Sequence, residues 1–281
     1  ESPQTQLWPV DDQRAEAALL AICEDARLVE ALLAIEGATA SQRAATEAQI
    51  DSWASAVRLA VKAAPHCPAT GAGALREVLV AHGNLRGDAG CYDAAENSLI
   101  AAVVERRLGQ PVLLSSLWIE VGRRAGVAVA GVGLPGHFIA RVGGPSGIYV
   151  DPFCGGRVLT DRQCRKIVED VSKGTLPWHD DYLATASTHE IVQRVLRNLM
   201  RARRAAADQR GMYRAVRFYA ALRPDDVEAA LVHARMAEEI GASRLAADLY
   251  TALIARFPTS HEAVVAERRL SPLHLVIQAL H

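Results

Sequence analysis

The sequence predicts an α+β protein with a helical amino-terminal layer, a core in which a buried helix packs on a small antiparallel sheet, and helical repeats at the carboxy terminus. Three observations carry this. Apolar residues recur at helical spacing over 11–64 and again from His189 to the end. Between them, after Gly126, the period changes to short β-branched runs separated by Gly and Pro. The composition fits a folded chain: half of the 281 residues are hydrophobic, 22% are charged, and 31 basic side chains face 32 acidic ones. That balance, with only 5% aromatics, excludes a disordered, fibrous or all-β protein. At roughly 100–200 residues per domain the length suggests two domains.

In chain order, Ala18, Leu19 and Ile22, then Leu28, Leu32, Leu33 and Ile35, then Ile50, Trp53, Val57 and Val61 mark three helices. PHCPATGAG at 65–73 reads as a breaker, followed by a short helix around Leu75–Val80 and a Gly-rich loop from Gly83 to Gly90. Asp93 and Glu96 form a capping-box pattern for a helix over about 94–108. Gln110 and Pro111 then open PVLLSSLWIEVGRRAGV, a helix apolar on nearly every side and therefore buried, with Pro in its first turn, where the missing N–H costs nothing. VAVAGVG, HFIARV and GIYVD read as strands, the last two joined by the hairpin loop GGPSG. Antiparallel pairing about that loop sets His137 across from the neighbourhood of Asp151. DPFCGGRVLT is a turn with a short strand, and 161–173 a polar helix. From His189 onward helices break near Gly211, Pro224, Gly241 and Pro258; the two prolines are one tetratricopeptide period apart, with Ala234, Gly241, Ala246 and Tyr250 near the positions that repeat needs. The unit ending at Pro224 is about one turn short.

Cys23, Cys67, Cys91, Cys154 and Cys164 are odd in number and irregular in spacing, which writes neither a disulfide framework nor a zinc knuckle. No apolar run approaches the roughly 18 residues that span a bilayer, and ESPQTQLWPVDDQR lacks the layout of a signal peptide, so a reduced, cytoplasmic protein without a membrane partner is expected. The net charge of −1 gives no general pull toward nucleic acid.

ENSLIAAVVERRLGQPVLLSSLWIEVGRRAGVAVAGVGLPGHFIARV, IYVDPFCGGRVLT and VLRNLMRAR together closely resemble a bacterial family. It is the family of transglutaminase-like proteins with C-terminal tetratricopeptide repeats, sometimes named after an invasion-gene regulator. The likeness covers roughly residues 15–260 and is densest between Asn97 and Thr160. It implies a papain-like α+β core (about 93–160) within a transglutaminase-like domain over 1–185, and a tetratricopeptide-like domain over 186–281. Transglutaminase-like enzymes place a Cys at the head of a buried helix, a His on a following strand and an Asp on the next. Helix dipole and imidazole stabilise the thiolate, and the carboxylate orients the imidazole. His137 and Asp151 match the His and Asp positions, whereas the Cys slot falls on Pro111, which has no nucleophilic atom. The resemblance implies that Pro in this slot belongs to the family and not to this chain alone.

His137 with Asp151 reads either as the remnant of a catalytic pair or as a hydrogen bond joining two strands. Ser115, one turn after Pro111, and Cys91, in the loop before the ENSL helix, are substitute nucleophiles; each has a blander reading as a small core hydroxyl or a small hydrophobe. A His137, Asp151 and Cys154 metal site lacks a second His at ligand spacing, so no metal and no cofactor are expected. Glu105, Arg106 and Arg107 read as the charged C-terminal end of a helix, and their match to the ERR motif of the resembled family implies that at least one of them bridges core elements. Arg194, Arg197, Arg201 and Arg204 form a stripe that could meet an acidic partner or nucleic acid, but a salt-linked pair of solvated helices is the favoured explanation, since the next helix carries Asp225, Asp226, Glu228, Glu238 and Glu239. The expected function is a non-catalytic interaction or regulatory module for a protein or peptide partner. The alternative is a hydrolase or acyl-transferase of altered mechanism with His137 as general base.

Overall fold

The computed structural model describes residues 11–64 and 66–279. The start of the stretch read above for a leader, residues 1–10, and Pro65 at the head of the breaker lie outside the described residues. The chain forms two compact units: residues 22–195, and residues 196–281 with the amino-terminal segment through Ala21.

Three helices, α1 (Asp11–Glu24), α2 (Leu28–Glu36) and α3 (Ala40–Ala60), occupy the amino-terminal stretch. α2 buries Leu28, Val29, Leu32, Leu33 and Ile35 and stops at Gly37 in the left-handed conformation. α3 starts at a capping box in which the Thr39 hydroxyl accepts from the Gln42 amide and the Gln42 side chain accepts from the Thr39 amide. The breaker reading of 65–73 is corrected: from Pro68 the segment is helical, as α4 (Pro68–Leu75), and continues as a π-helical turn over Arg76–His82. Pro68 at N1 starts the helix without cost, and Gly71 is needed where α4 meets the sheet, since a Cβ there would sit 2.8 Å from Val127.

The single helix expected over 94–108 is also corrected. A 3-10 turn spans Ala95–Ser98, Leu99 is extended, and α5 covers only Ile100–Arg106, with no side-chain cap from Asp93. The break turns the fully buried Asn97 and the nearly buried Ser98 inward to polar partners, which a continuous helix would carry past them. Arg107 then takes a left-handed conformation, and Leu108–Gly109 (β2) pairs in parallel with Arg86–Gly87 (β1).

α6 (Pro111–Ala125) is the buried helix, with Leu113, Leu117 and Val121 fully enclosed and its end at left-handed Gly126. It packs on the sheet formed by β3 (Val129–Val132), β4 (Ile139–Val142), β5 (Ile148–Asp151), β6 (Arg157–Leu159) and β7 (Thr185–Ala186), in the order β6-β5-β4-β3-β7 and antiparallel throughout. No local pattern marks β7, a two-residue strand whose pairing depends only on its position beside β3. Val132, Leu134, Ile139 and Leu159 form a second cluster with Cys164 and Val168 of α7 (Asp161–Ser172). α8 (Thr188–Ala205) follows and runs from one unit into the other.

In the second unit α9 (Gln209–Ala221), α10 (Val227–Glu239), α11 (Ser243–Arg256) and α12 (His261–Ala279) pack consecutively around Tyr213, Val216, Ala234, Ala246, Tyr250 and Leu253. The break expected at Gly211 lies instead at left-handed Ala207. Asp208 caps α9 through the Gly211 amide, so that glycine belongs to the helix's first turn.

Candidate functional site

The turn Leu134–His137 enters β4, and its geometry requires Gly136: φ is +72°, and a Cβ there would lie 2.1 Å from a Val171 methyl. Arg194 of α8 clamps this turn, its Nη2 donating to the Leu134 carbonyl at 2.9 Å and the His137 carbonyl at 2.8 Å while its guanidinium lies over the Phe138 ring. His137 is thus held by its backbone before its ring meets anything.

The β4–β5 register pairs Ala140 with Val150, which brings Asp151 alongside the entry to β4. His137 Nε2 lies 3.0 Å from Asp151 Oδ2, with the imidazole 14% and the carboxylate 2% exposed. The other carboxylate oxygen accepts from the Cys154 amide at 3.2 Å. Burial pushes the Asp151 carboxyl up, but the hydrogen bond and charge of His137 and the Cys154 amide outweigh it and hold the group below the usual carboxylate value. Asp151 therefore stays ionised and acts as an acceptor toward His137. No Ser, Thr or Cys side chain hydrogen-bonds to His137 among the described residues.

The head of α6 is closed. Gln110, 1% exposed, accepts from the Ser98 hydroxyl at 2.8 Å and donates to the Tyr92 carbonyl at 2.9 Å, and Pro111 follows as the first helical residue. The loop that supplies Tyr92 is tied down by Asn97, whose Nδ2 donates to Asp88 and to the Cys91 carbonyl and whose Oδ1 accepts from Arg106. The Cys91 amide, the Asn97 side chain and Arg106 hold the Asp88 carboxyl below its ordinary value despite some desolvation. Phe153 completes the cover, its ring set edge-on to His137 at 6.1 Å and to Tyr92 at 5.9 Å. Gly87 of β1 makes room, since a Cβ there would overlap that ring at 2.5 Å. Asn97→Ala is therefore expected to speed hydrogen exchange of the 88–94 amides about thirtyfold while leaving the sheet unchanged, because two part-buried polar contacts of about 1 kcal/mol each are lost.

The remaining candidates fall elsewhere. Ser115 is fully buried, and its hydroxyl makes a long 3.5 Å contact to the Phe138 carbonyl. Cys91 sits in the tied loop and is exposed. Cys154 approaches Asp151, but desolvation and then the Asp151 charge and hydrogen bond push its thiol up to about 11. Cys67, at the head of α4, has the opposite bias: the Thr70 side chain and nearby amides lower its thiol. Among the described residues no group of three or more His, Cys, Asp or Glu side chains is arranged to hold a metal ion, and no helix is long and apolar enough to cross a membrane. Arg106 bridges to Asn97 and Asp88, and Arg107 to Gln49 with its guanidinium over Trp53, while Glu105 is exposed. The arginine stripe is not one surface: Arg194 is spent on backbone carbonyls, and Arg203, outside the expected set, pairs with Asp208. Sequence reading missed Arg194 as a clamp, Phe153 as a cover and Gln110 as a plug. Phe153 and Gln110 are marked in the sequence only by lying beside YVDP and within GQP, and Arg194, whose partners lie about 60 residues earlier, by nothing local.

A buried helix laid on an antiparallel sheet, with a His–Asp pair at adjacent strand ends, defines a transglutaminase-like domain. The profile of the transglutaminase-like superfamily matches residues 44–197, and the chain belongs to that superfamily. A UPF0162 protein of Xylella fastidiosa is 42% identical over 114 residues, which cover 38% of this chain and 40% of the relative. A UPF0162 protein of Pseudomonas aeruginosa is 34% identical over 113 residues, covering 40% and 41%. F-box only protein 21 of Mus musculus is 29% identical over 182 residues, covering 60% of this chain and 28% of that protein. The chain spans about two-fifths of the length of the bacterial relatives it matches. No solved structure matches it.

Proposed function

We propose that this transglutaminase-like domain is non-catalytic and that the protein works as an interaction or regulatory module for a protein or peptide partner. The observation that carries the reading is the closed head of α6, where a catalytic relative would present a thiolate. Here Gln110 is bonded to Ser98 and Tyr92, and Pro111 takes the nucleophile's slot. The thiol beside the pair, Cys154, is biased toward its protonated form, which is the unreactive one. With no nucleophile to activate, the His137–Asp151 hydrogen bond serves to fix β4 against β5. We assign residues 1–185 to the transglutaminase-like domain and 186–281 to tetratricopeptide-like helices, the organisation of the bacterial family resembled above.

A second reading, a hydrolase or acyl-transferase of altered mechanism, draws on the ionised Asp151 behind His137, which is the arrangement a general base needs. Labelling with a panel of thiol- and hydroxyl-directed covalent probes, mapped by peptide mass spectrometry on wild type and His137→Ala, separates the two. The non-catalytic reading expects Cys67 to be the fastest thiol and equally fast in both proteins. A residue whose labelling collapses in the variant would establish a nucleophile coupled to His137 and sink that reading.

A further inference from the structure

Within the unit formed by residues 22–195, a cavity of about 350 Å³ lies between α3 and α5. It runs along α3 from Ser41 to Gln49, about 12 Å at the helical rise. Each helix gives it one face: Ala45 and Gln49 lie one turn apart on α3, and Ala101, Val104 and Glu105 follow at helical spacing on α5. Arg107, just past α5, lines it beside Gln49.

Arg107 is unlike the other arginines of this unit's core. Arg106 reaches Asp88, and Arg124 meets Glu47, Asp51 and Glu120. Arg107 has no carboxylate within ion-pair distance among the described residues. Its Nη2 donates to Gln49 Oε1, a neutral acceptor, at 2.8 Å, and its guanidinium lies 4.6 Å over the Trp53 ring. Its Nη1 is closed to solvent and has no hydrogen-bond partner. Desolvation holds the guanidinium below the ordinary arginine value, with no carboxylate to oppose it. A desolvated cation that the fold does not pair is costly, and an anion supplied from outside the chain offsets that cost.

The lining selects among anions. A planar carboxylate matches the guanidinium fork, and the Gln49 amide nitrogen, which no protein acceptor takes up among the described residues, adds a donor beside it. One arginine next to the exposed carboxylate of Glu105 favours a single negative charge over a phosphate dianion. Ala45, Ala101 and Val104 offer apolar surface to a short aliphatic body.

We propose that this cavity binds a monocarboxylate with a short aliphatic body, its carboxylate drawn onto Arg107 and the Gln49 amide and its chain laid along Ala45, Ala101 and Val104. The site shares no residue with the His137–Asp151 pair, so it stands or falls separately from the non-catalytic reading.

Calorimetric titration of the full chain with hexanoate tests this, with hexanamide, hexyl phosphate and acetyl-trialanine as companions. Hexanoate should bind saturably, at least about tenfold tighter than hexanamide or hexyl phosphate, and at least about tenfold more weakly to Arg107→Gln. Ala45→Leu exchanges one good helix former for another at an exposed position and fills the apolar part of the cavity, so it should abolish binding with the charge intact. That second variant keeps the test decisive should Arg107→Gln fail to fold. Tighter binding of acetyl-trialanine than of hexanoate would support the site and identify a peptide's terminal carboxylate, not a free acid, as the source of the group. No saturable binding of either carboxylate, equal binding of hexanamide, tighter binding of hexyl phosphate, or affinity unchanged by the substitutions would each overturn the proposal.

Discussion

Replacing Asp151 with alanine is expected to destabilise the protein by about 3 kcal/mol, because it strands two donors that a buried carboxylate now satisfies. Those donors are the His137 ring and the Cys154 amide, at 3.0 and 3.2 Å, and the carboxylate is only 2% exposed. His137→Ala leaves that carboxylate with one partner fewer, so each single change is costly. The double variant should lose less than the two singles together, by about 1–2 kcal/mol of coupling. The pH dependence has a definite sign. Because the folded carboxyl titrates below its unfolded value, its contribution is complete above the unfolded value of about 4 and is lost as pH falls through the folded value. The gap between wild type and Asp151→Ala in urea melts should therefore be constant from about pH 7 to 5 and narrow below about 4. A gap under about 1 kcal/mol at neutral pH, or one that widens with acid, would contradict this account.

Trp118→Ala is expected to cost about 3–5 kcal/mol and to lower the melting temperature by about 10 °C, the range for truncating an enclosed aromatic. Trp118 is 1% exposed at the centre of α6, a helix buried on nearly every side. Its indole supports the turn after β5, since a Cβ on Gly156 would lie 2.9 Å from it. That turn closes with the Gly156 amide donating to the Asp151 carbonyl at 2.8 Å. The variant should therefore also exchange the 152–156 amides faster, and calorimetry with hydrogen exchange reads both effects. Loss of stability with unchanged protection in that turn would mean that α6 and the turn are not coupled through the indole.

Elements with a strong local signal were legible in the chain. Hydrophobic period marked α2, α3 and α6, the GGPSG loop set the β4–β5 hairpin, and that hairpin's two-residue period was enough to bring His137 toward Asp151. That Pro111 offers no nucleophilic atom at the head of α6 is likewise a sequence fact, because no fold supplies an atom the residue lacks.

Where local signals competed with distant contacts, only the tertiary structure decided. PATGAG reads as a breaker by composition, yet it is helical because small residues let α4 approach Val127 and Val142. The capping pattern at Asp93 was overruled at Leu99, where turning Asn97 and Ser98 to Asp88 and Gln110 is worth more than a continued helical ladder. Arg194 carries the same one-letter signal as Arg197 and Arg204, but it alone points at the Leu134 and His137 carbonyls, which lie about 60 residues earlier in the chain. Periodicity reports which side of an element is buried, through interactions a few residues apart. Which polar groups meet across the core depends on loop closure over tens of residues, and no local pattern encodes that.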